Sequence, residues 1–138
     1  MRRVSRALAA VVLALVCSCS GGSTGFNPGD KAPEIKGTDS KGNSVALSQY
    51  QGKVTLLNFW ATWCGPCVGE LPNVLKTYEK FHPQGFEIIG ISLDQEKDAL
   101  ESFVKKNEMT WPQAFDGKGW ENDGGNFKLY SKRYQHHY

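Results

Sequence analysis

The stretch Lys53–Cys67, KVTLLNFWATWCGPC, constrains this chain more than any other. Its first eight residues are a nearly continuous run of aliphatic, β-branched and aromatic side chains. Such a run fits a strand buried on both faces, as in a parallel sheet. Two cysteines three positions apart follow immediately, and then Val68, Leu71, Val74, Leu75 and Tyr78 recur at helical spacing. The helix is expected to run to about Phe81 and to stop before His82-Pro83, because a residue preceding proline is driven out of the α region. Pro72 lies inside it and is expected to kink it.

The rest of the body repeats this alternation. Phe86–Leu93 (FEIIGISL) reads as a second buried strand. Asp94 is placed to cap the next helix, whose apolar face is Ala99, Leu100, Phe103 and Val104. Trp111–Phe115 reads as a short strand or extended segment, Asp116–Asn126 as a Gly/Asp/Asn loop and Phe127–Tyr134 as the start of another helix. Upstream, Ile35–Thr38 and Ser44–Leu47 flank turn chemistry at Asp39–Asn43, the pattern of a hairpin. Strands alternating with helices predict an α/β domain with right-handed crossovers.

A length of 138 residues argues for one domain, preceded here by a targeting segment. Arg2, Arg3 and Arg6 precede Leu8–Val16, an apolar stretch of nine residues. That is well short of the ~20 residues a membrane-spanning helix needs. Small residues follow it, so residues 1–19 read as a secretory signal. Val16-Cys17-Ser18-Cys19 resembles a bacterial lipobox, which would make Cys19 a lipid-modified first residue and a membrane anchor. Ordinary cleavage near Ser20, with loss of Cys17 and Cys19, is the alternative. Residues 20–27 (SGGSTGFN) form a Gly/Ser-rich tether, and the domain occupies 28–138. The expected location is outside the cytoplasm, in the cell envelope or periplasm. The net charge of +2 comes from the N-terminus: past residue 19, 13 basic residues face 14 acidic ones. No basic stripe marks the body, so no nucleic-acid partner is expected.

Cys64 falls where a strand hands over to a helix. Its thiol would face the helix N-terminus, where free N–H groups and the dipole stabilise a thiolate. Cys67 follows one turn later, within disulfide reach. Pro66 suits the first helical turn, where its missing N–H has no consequence, and Gly65 leaves the approach open. The natural chemistry is thiol–disulfide exchange. A zinc site would need four ligands; beside the pair the body offers His82, His136 and His137, and the two C-terminal histidines lack ligand spacing to the pair. Haem attachment needs histidine at position 68, which is valine. A peroxidatic cysteine would sit in a different frame, with proline a few residues upstream. A purely structural disulfide closing so short a loop would restrain the unfolded chain very little. Neither a metal nor a cofactor is expected.

FWATWCGPC, with Gly52-Lys53 before it and Glu70-Leu71-Pro72 after it, resembles the TlpA/ResA-like thiol–disulfide oxidoreductases, a branch of the thioredoxin fold. Asp30–Pro33, the hairpin, Gly90–Asp94 and Gly119-Trp120 extend the resemblance over roughly residues 28–134. It implies an attacking Cys64, a resolving Cys67 and a partly buried Glu70 near the pair. It further implies reduction of protein disulfides outside the cytoplasm, a membrane thiol as electron donor and a role in cytochrome c maturation. Without the resemblance, Glu70 is a glutamate in the first turn of a helix, where the dipole favours it. Trp60 is expected in the core. Trp63 either packs under the active-site turn and shapes partner docking or is a near-core aromatic, and Trp120 either borders the site or anchors its loop. Relatives of this type continue into a cis-proline loop, two antiparallel strands and a final helix. The last proline here is Pro112, so the domain reads as C-terminally shortened, with Lys53–Trp60 left as an open edge. A non-catalytic remnant or binding domain is the alternative to an enzyme.

Overall fold

The structure, a computed structural model, describes residues 23–119. The chain divides into two compact units at Ala32/Pro33. The described part of the first, residues 23–32, is a loop closed on itself. Lys31 N donates to Ser23 O, and the Asp30 carboxylate accepts from Ser23 Oγ, Asn27 N and Asn27 Nδ2.

The second unit opens with the expected hairpin, β1 (Lys36–Thr38) antiparallel to β2 (Ser44–Ala46). Asp39 builds the turn. Its carboxylate accepts from the Lys41 and Asn43 backbone N–H groups, each at 2.8 Å, and Gly42 takes the positive φ of 87° that the turn requires. A 3-10 turn at Leu47–Tyr50 leads to β3 (Val54–Trp60). Then come α1 (Gly65–Phe81), a 3-10 turn at His82–Gln84, β4 (Phe86–Ser92), α2 (Lys97–Lys106) and β5 (Gln113–Ala114). β3, β4 and β5 form a parallel sheet in that order, with Val54 opposite Phe86 and Trp60 opposite Ser92. The α1 limits match the periodicity, and Pro72 lies inside the helix as expected.

Two crossovers that step the same way across the sheet place both helices on one face. On that face Trp60 and Ile88 pack with Leu71 of α1, Leu100 of α2, Met109 and Trp111. The hairpin covers the other face, where Ile35 and Val45 meet Ile89, Ile91 and Ala114. β4 is thus the central strand, and every residue from Glu87 to Ser92 is buried. Ile88 has no exposed surface. Ile88→Ala will lower stability by about 2–5 kcal/mol through lost burial and the cavity left behind, read as a shifted midpoint in urea unfolding.

β3 departs from the expectation of burial on both faces. Val54 is 73% exposed and Leu56 42% exposed. Both alternate onto the helix face with Trp60, but α1 and α2 lie over β4, and neither Val54 nor Leu56 joins the cluster beneath them. Among the described residues β3 pairs only with β4. A second correction concerns Asp94. α2 starts at Lys97 and its N-cap position is Glu96, with no side-chain cap. Asp94 is turned inward instead and is buried.

At the N-terminal ends of β3 and β4, the buried Glu87 carboxylate accepts from Tyr78 Oη at 2.9 Å and from Lys53 Nζ at 3.4 Å. Burial first, then the hydrogen bond to Glu87 and its charge, push the Tyr78 phenol up to about 12. An unperturbed tyrosine titrates near ~10. Between these values the unfolded chain has lost the proton that the folded chain keeps. Stability therefore falls as pH rises from about 10 to about 12. Tyr78→Phe will flatten that part of the profile, which urea midpoints measured from pH 9 upward will show.

Candidate active site

The site is assembled at the C-terminal ends of β3 and β4. The last rung of their pairing is Leu93 N donating to Trp60 O at 2.8 Å. Beyond it the two chains separate, as parallel strands must when each enters its own crossover. Ala61, fully buried, begins a tight turn closed by Cys64 N donating to Ala61 O at 3.1 Å. Thr62 and Trp63 are its central residues. Cys64 is then the N-cap of α1 with extended backbone, and its carbonyl accepts the first helical bond from Val68 N.

Cys64 and Cys67 are joined as a disulfide, with their Cα atoms 5.3 Å apart. Cys64 Sγ also accepts from Cys67 N at 3.3 Å. The sulfur thus occupies the place of a capping oxygen and takes up one of the N–H groups a helix start leaves unpaired. In the reduced protein a Cys64 thiolate would stand at the same N–H and at the positive end of the helix dipole. Pro66 occupies the first turn, which needs no N–H there. Both cysteines are half-buried while Gly65 and Pro66 are exposed, so the disulfide can be approached from solvent. A Cβ on Gly65 would meet nothing within 4 Å.

Beside the pair lies a cavity of about 470 Å³, lined mostly by apolar side chains. Trp60, Leu71, Val74, Phe103 and Met109 line it together with Cys64, Cys67 and Pro66. The reach of Phe103 and Met109 into this space was not evident from sequence, since both carry the helical or core spacing of ordinary packing residues.

Two expectations need correction. Glu70, expected to be partly buried, is exposed and accepts from Asn73 Nδ2 at 3.2 Å. It is one of the residues lining the cavity, one turn from Cys67. Trp63 does not pack beneath the turn: it is 62% exposed at the rim of the cavity, because the turn aims position 63 away from the sheet. Trp60 is in the core as expected, and its Nε1 donates to Gln113 Oε1 at 2.9 Å. Cys19 and Trp120 lie outside the described residues, as do the loop from residue 120 and the helix expected at 127–134.

Asp94 is the residue of the site that sequence reasoning misplaced. Its carboxylate accepts from Thr62 N at 3.1 and 3.2 Å, Thr62 Oγ1 at 2.6 Å and Ser92 Oγ at 2.8 Å. The available signal was topological. In a parallel pair the residue two past the end of one strand stands beside the residue two past the end of its neighbour, here Asp94 and Thr62.

The AhpC/TSA family model matches residues 28–123. Among curated proteins, the thiol-disulfide oxidoreductase ResA of Bacillus thuringiensis is 38% identical over 91 residues, 66% of this chain and 53% of that protein. ResA of Oceanobacillus iheyensis is 34% identical over 116 residues, 81% of this chain and 60% of that protein. The chain therefore spans little more than half the length of these relatives. Among solved structures, the thioredoxin domain of a thiol-disulfide oxidoreductase from Bacteroides vulgatus aligns with a TM-score of 0.65 at 33% identity, over 80% of this chain and 75% of that one. A DsbF homologue from Corynebacterium diphtheriae aligns with a TM-score of 0.58 at 31% identity, over 70% and 69%. With β3, α1 and the cysteine pair in the arrangement described, the chain belongs to the AhpC/TSA family and has a thioredoxin-like fold.

Proposed function

We propose that this protein is a thiol–disulfide oxidoreductase that reduces protein disulfides through Cys64 and Cys67. The observation that carries the reading is the position of Cys64 Sγ, at once half of a disulfide and the cap of α1. In the reduced protein, the Cys64 thiolate attacks one sulfur of a substrate disulfide. A Cys64–substrate disulfide forms, and the other substrate sulfur leaves as a thiolate that takes a proton from solvent. Cys67, as thiolate, then attacks Cys64 Sγ. The Cys64–Cys67 disulfide forms and the second substrate thiol is released, so two electrons pass from protein to substrate. A thiol donor must return them, and a membrane thiol protein fits an exported domain.

Glu70, exposed one turn from Cys67, is proposed to exchange protons with the departing thiolates. Solvent can do the same at an exposed position, so Glu70→Gln will slow turnover by less than about tenfold. Export with Cys19 as a lipid anchor rests on the N-terminal sequence alone. Cys19→Ser is expected to abolish incorporation of a labelled fatty acid into the protein. A place in cytochrome c maturation is a further proposal, suggested by the resemblance to the TlpA/ResA-like branch. The exchange reading is tested with the reduced full chain and a disulfide-containing protein such as insulin: release of thiols in step with oxidation of the pair is expected. A reduced pair that leaves insulin disulfides untouched would sink it.

A further inference from the structure

We infer that Asp94 is a positioning residue for this exchange site, acting through Thr62 to hold the turn that places Cys64. The inference rests on the exchange reading above and names what fixes the attacking sulfur.

The geometry is specific. The turn Ala61–Cys64 is closed by a single backbone hydrogen bond, and Cys64 Sγ reaches Cys67 N only if that turn keeps its shape. On the sheet side Ala61 is packed in the core, but Trp63 is largely solvated and cannot anchor the turn from outside. Thr62 is the remaining handle. The β3–β4 ladder has already ended at Leu93 N to Trp60 O, so the Thr62 N–H has no strand partner to bond. The Asp94 carboxylate supplies one and adds a second bond from the Thr62 hydroxyl. It is a side-chain rung laid past the end of the backbone ladder.

Asp94 is itself held. Ser92 Oγ donates to its carboxylate and accepts from its backbone N–H at 3.1 Å, which sets the side chain from the end of the central strand. Asp94 is 2% exposed, and among the described residues its carboxylate's donors, Thr62 and Ser92, are neutral. A buried carboxylate is expensive to desolvate unless hydrogen-bonded. The clamp needs one buried acceptor oxygen facing both Thr62 donors, which Asp94 Oδ1 supplies, and helix capping, the ordinary use of aspartate here, is not what Asp94 does. Once a thiol donor has reduced the pair and no S–S bond holds the two cysteines together, the clamp keeps the Cys64 backbone at the helix N-terminus and keeps Cys67 within reach for the resolving step.

The test uses the reduced full chain and 5,5′-dithiobis(2-nitrobenzoate), an aromatic disulfide whose thiolate product is coloured. Three variants are compared: Asp94→Ala, Asp94→Asn and Thr62→Val. Urea unfolding of each corrects the rates to folded protein. Asp94→Ala removes the clamp and is expected to slow the first release at least tenfold. It should also shift the dithiol–disulfide equilibrium against glutathione, a quantity that lost stability alone would not move once only folded protein is counted. Asp94→Asn keeps one oxygen for both Thr62 bonds and turns an amide to Ser92 Oγ, so it should remain within threefold of the parent. Thr62→Val loses only the hydroxyl bond and should fall about threefold to tenfold. Asp94→Ala reacting within twofold of the parent would overturn the inference. So would an Asp94→Asn variant as slow as Asp94→Ala, because the charge rather than the clamp would then matter. If Asp94→Ala does not fold, Thr62→Val decides: parent-like rate and equilibrium overturn the inference. A parent protein that releases no coloured thiolate defeats the exchange reading itself, a separate outcome.

Discussion

Cys64→Ser will abolish disulfide reduction, by three orders of magnitude or more, roughly the scale on which loss of a nucleophile is felt. Cys67→Ser will retain the first step and fail at the second. The asymmetry follows from the helix start. Cys64 Sγ stands at the free N–H of Cys67 and at the mouth of the turn, with exposed Gly65 and Pro66 beside it. Cys67 lies one turn inside, among residues packed against Leu71 and Trp60. With Cys67→Ser, the Cys64–substrate disulfide has no intramolecular thiolate to resolve it and accumulates. Mass spectrometry of the full chain after exposure to a disulfide-containing protein should show a covalent adduct on Cys64 in Cys67→Ser and none in Cys64→Ser. The same trapping separates an enzyme from a remnant that keeps the motif without the chemistry, since a remnant forms no adduct above background. Adducts on Cys67 in the Cys64→Ser variant at comparable yield would reverse the assigned roles.

Gly90→Ala should be the most damaging conservative change in the core. Gly90 sits in the middle of β4, and the space where a Cβ would go is occupied by the side-chain amide of Gln113. That amide crosses the strand to accept from Trp60 Nε1 at 2.9 Å, while its Nε2 donates to Trp111 O at 3.5 Å. A methyl group at position 90 must push Gln113 aside. The displacement breaks a buried hydrogen bond and leaves the Trp60 indole N–H without its acceptor. Overpacking and the unpaired donor together will lower stability by about 3 kcal/mol. A double-mutant cycle isolates the cause. In a Gln113→Ala background the added methyl finds room, so Gly90→Ala should cost at least about 1 kcal/mol less there. Additive losses would mean that Gly90 is needed for some other reason. Because Trp60 also lines the cavity beside the cysteines, its fluorescence will report the repacking.

Gly90 also shows where sequence reading stops. Read along the chain, FEIIGISL is a buried strand interrupted by a glycine, and nothing in the pattern says what fills the gap. The answer is a glutamine 23 residues away on the neighbouring strand. Asp94 is similar. After an apolar strand and before a helical pattern it looks like an N-cap, and local propensity supports that role. The sheet gives it a better set of donors in Thr62 and Ser92, and the helix starts three residues later without it. Glu70 and Trp63 differ from expectation because exposure depends on which elements cover a surface, a property of the assembled layers rather than of the helix or turn that carries the residue.

What the sequence by itself determined is whatever depends on short-range order. The hairpin, the strand before the cysteines, the 17-residue helix with its internal proline and the second buried strand follow from periodicity and turn chemistry. The proposal of exchange chemistry rests on two thiols one helical turn apart at a strand-to-helix junction. Tertiary structure alone decided which face of each element is covered, and hence that β4 is buried from Glu87 to Ser92 while Val54 and Leu56 of β3 are not. It also decided what holds the turn before Cys64. The Asp94–Thr62 clamp joins residues 32 positions apart, and only the parallel pairing of β3 with β4 brings them together. Backbone propensities act over a few residues, whereas a hydrogen bond across strand ends exists only after the register of the sheet has been set.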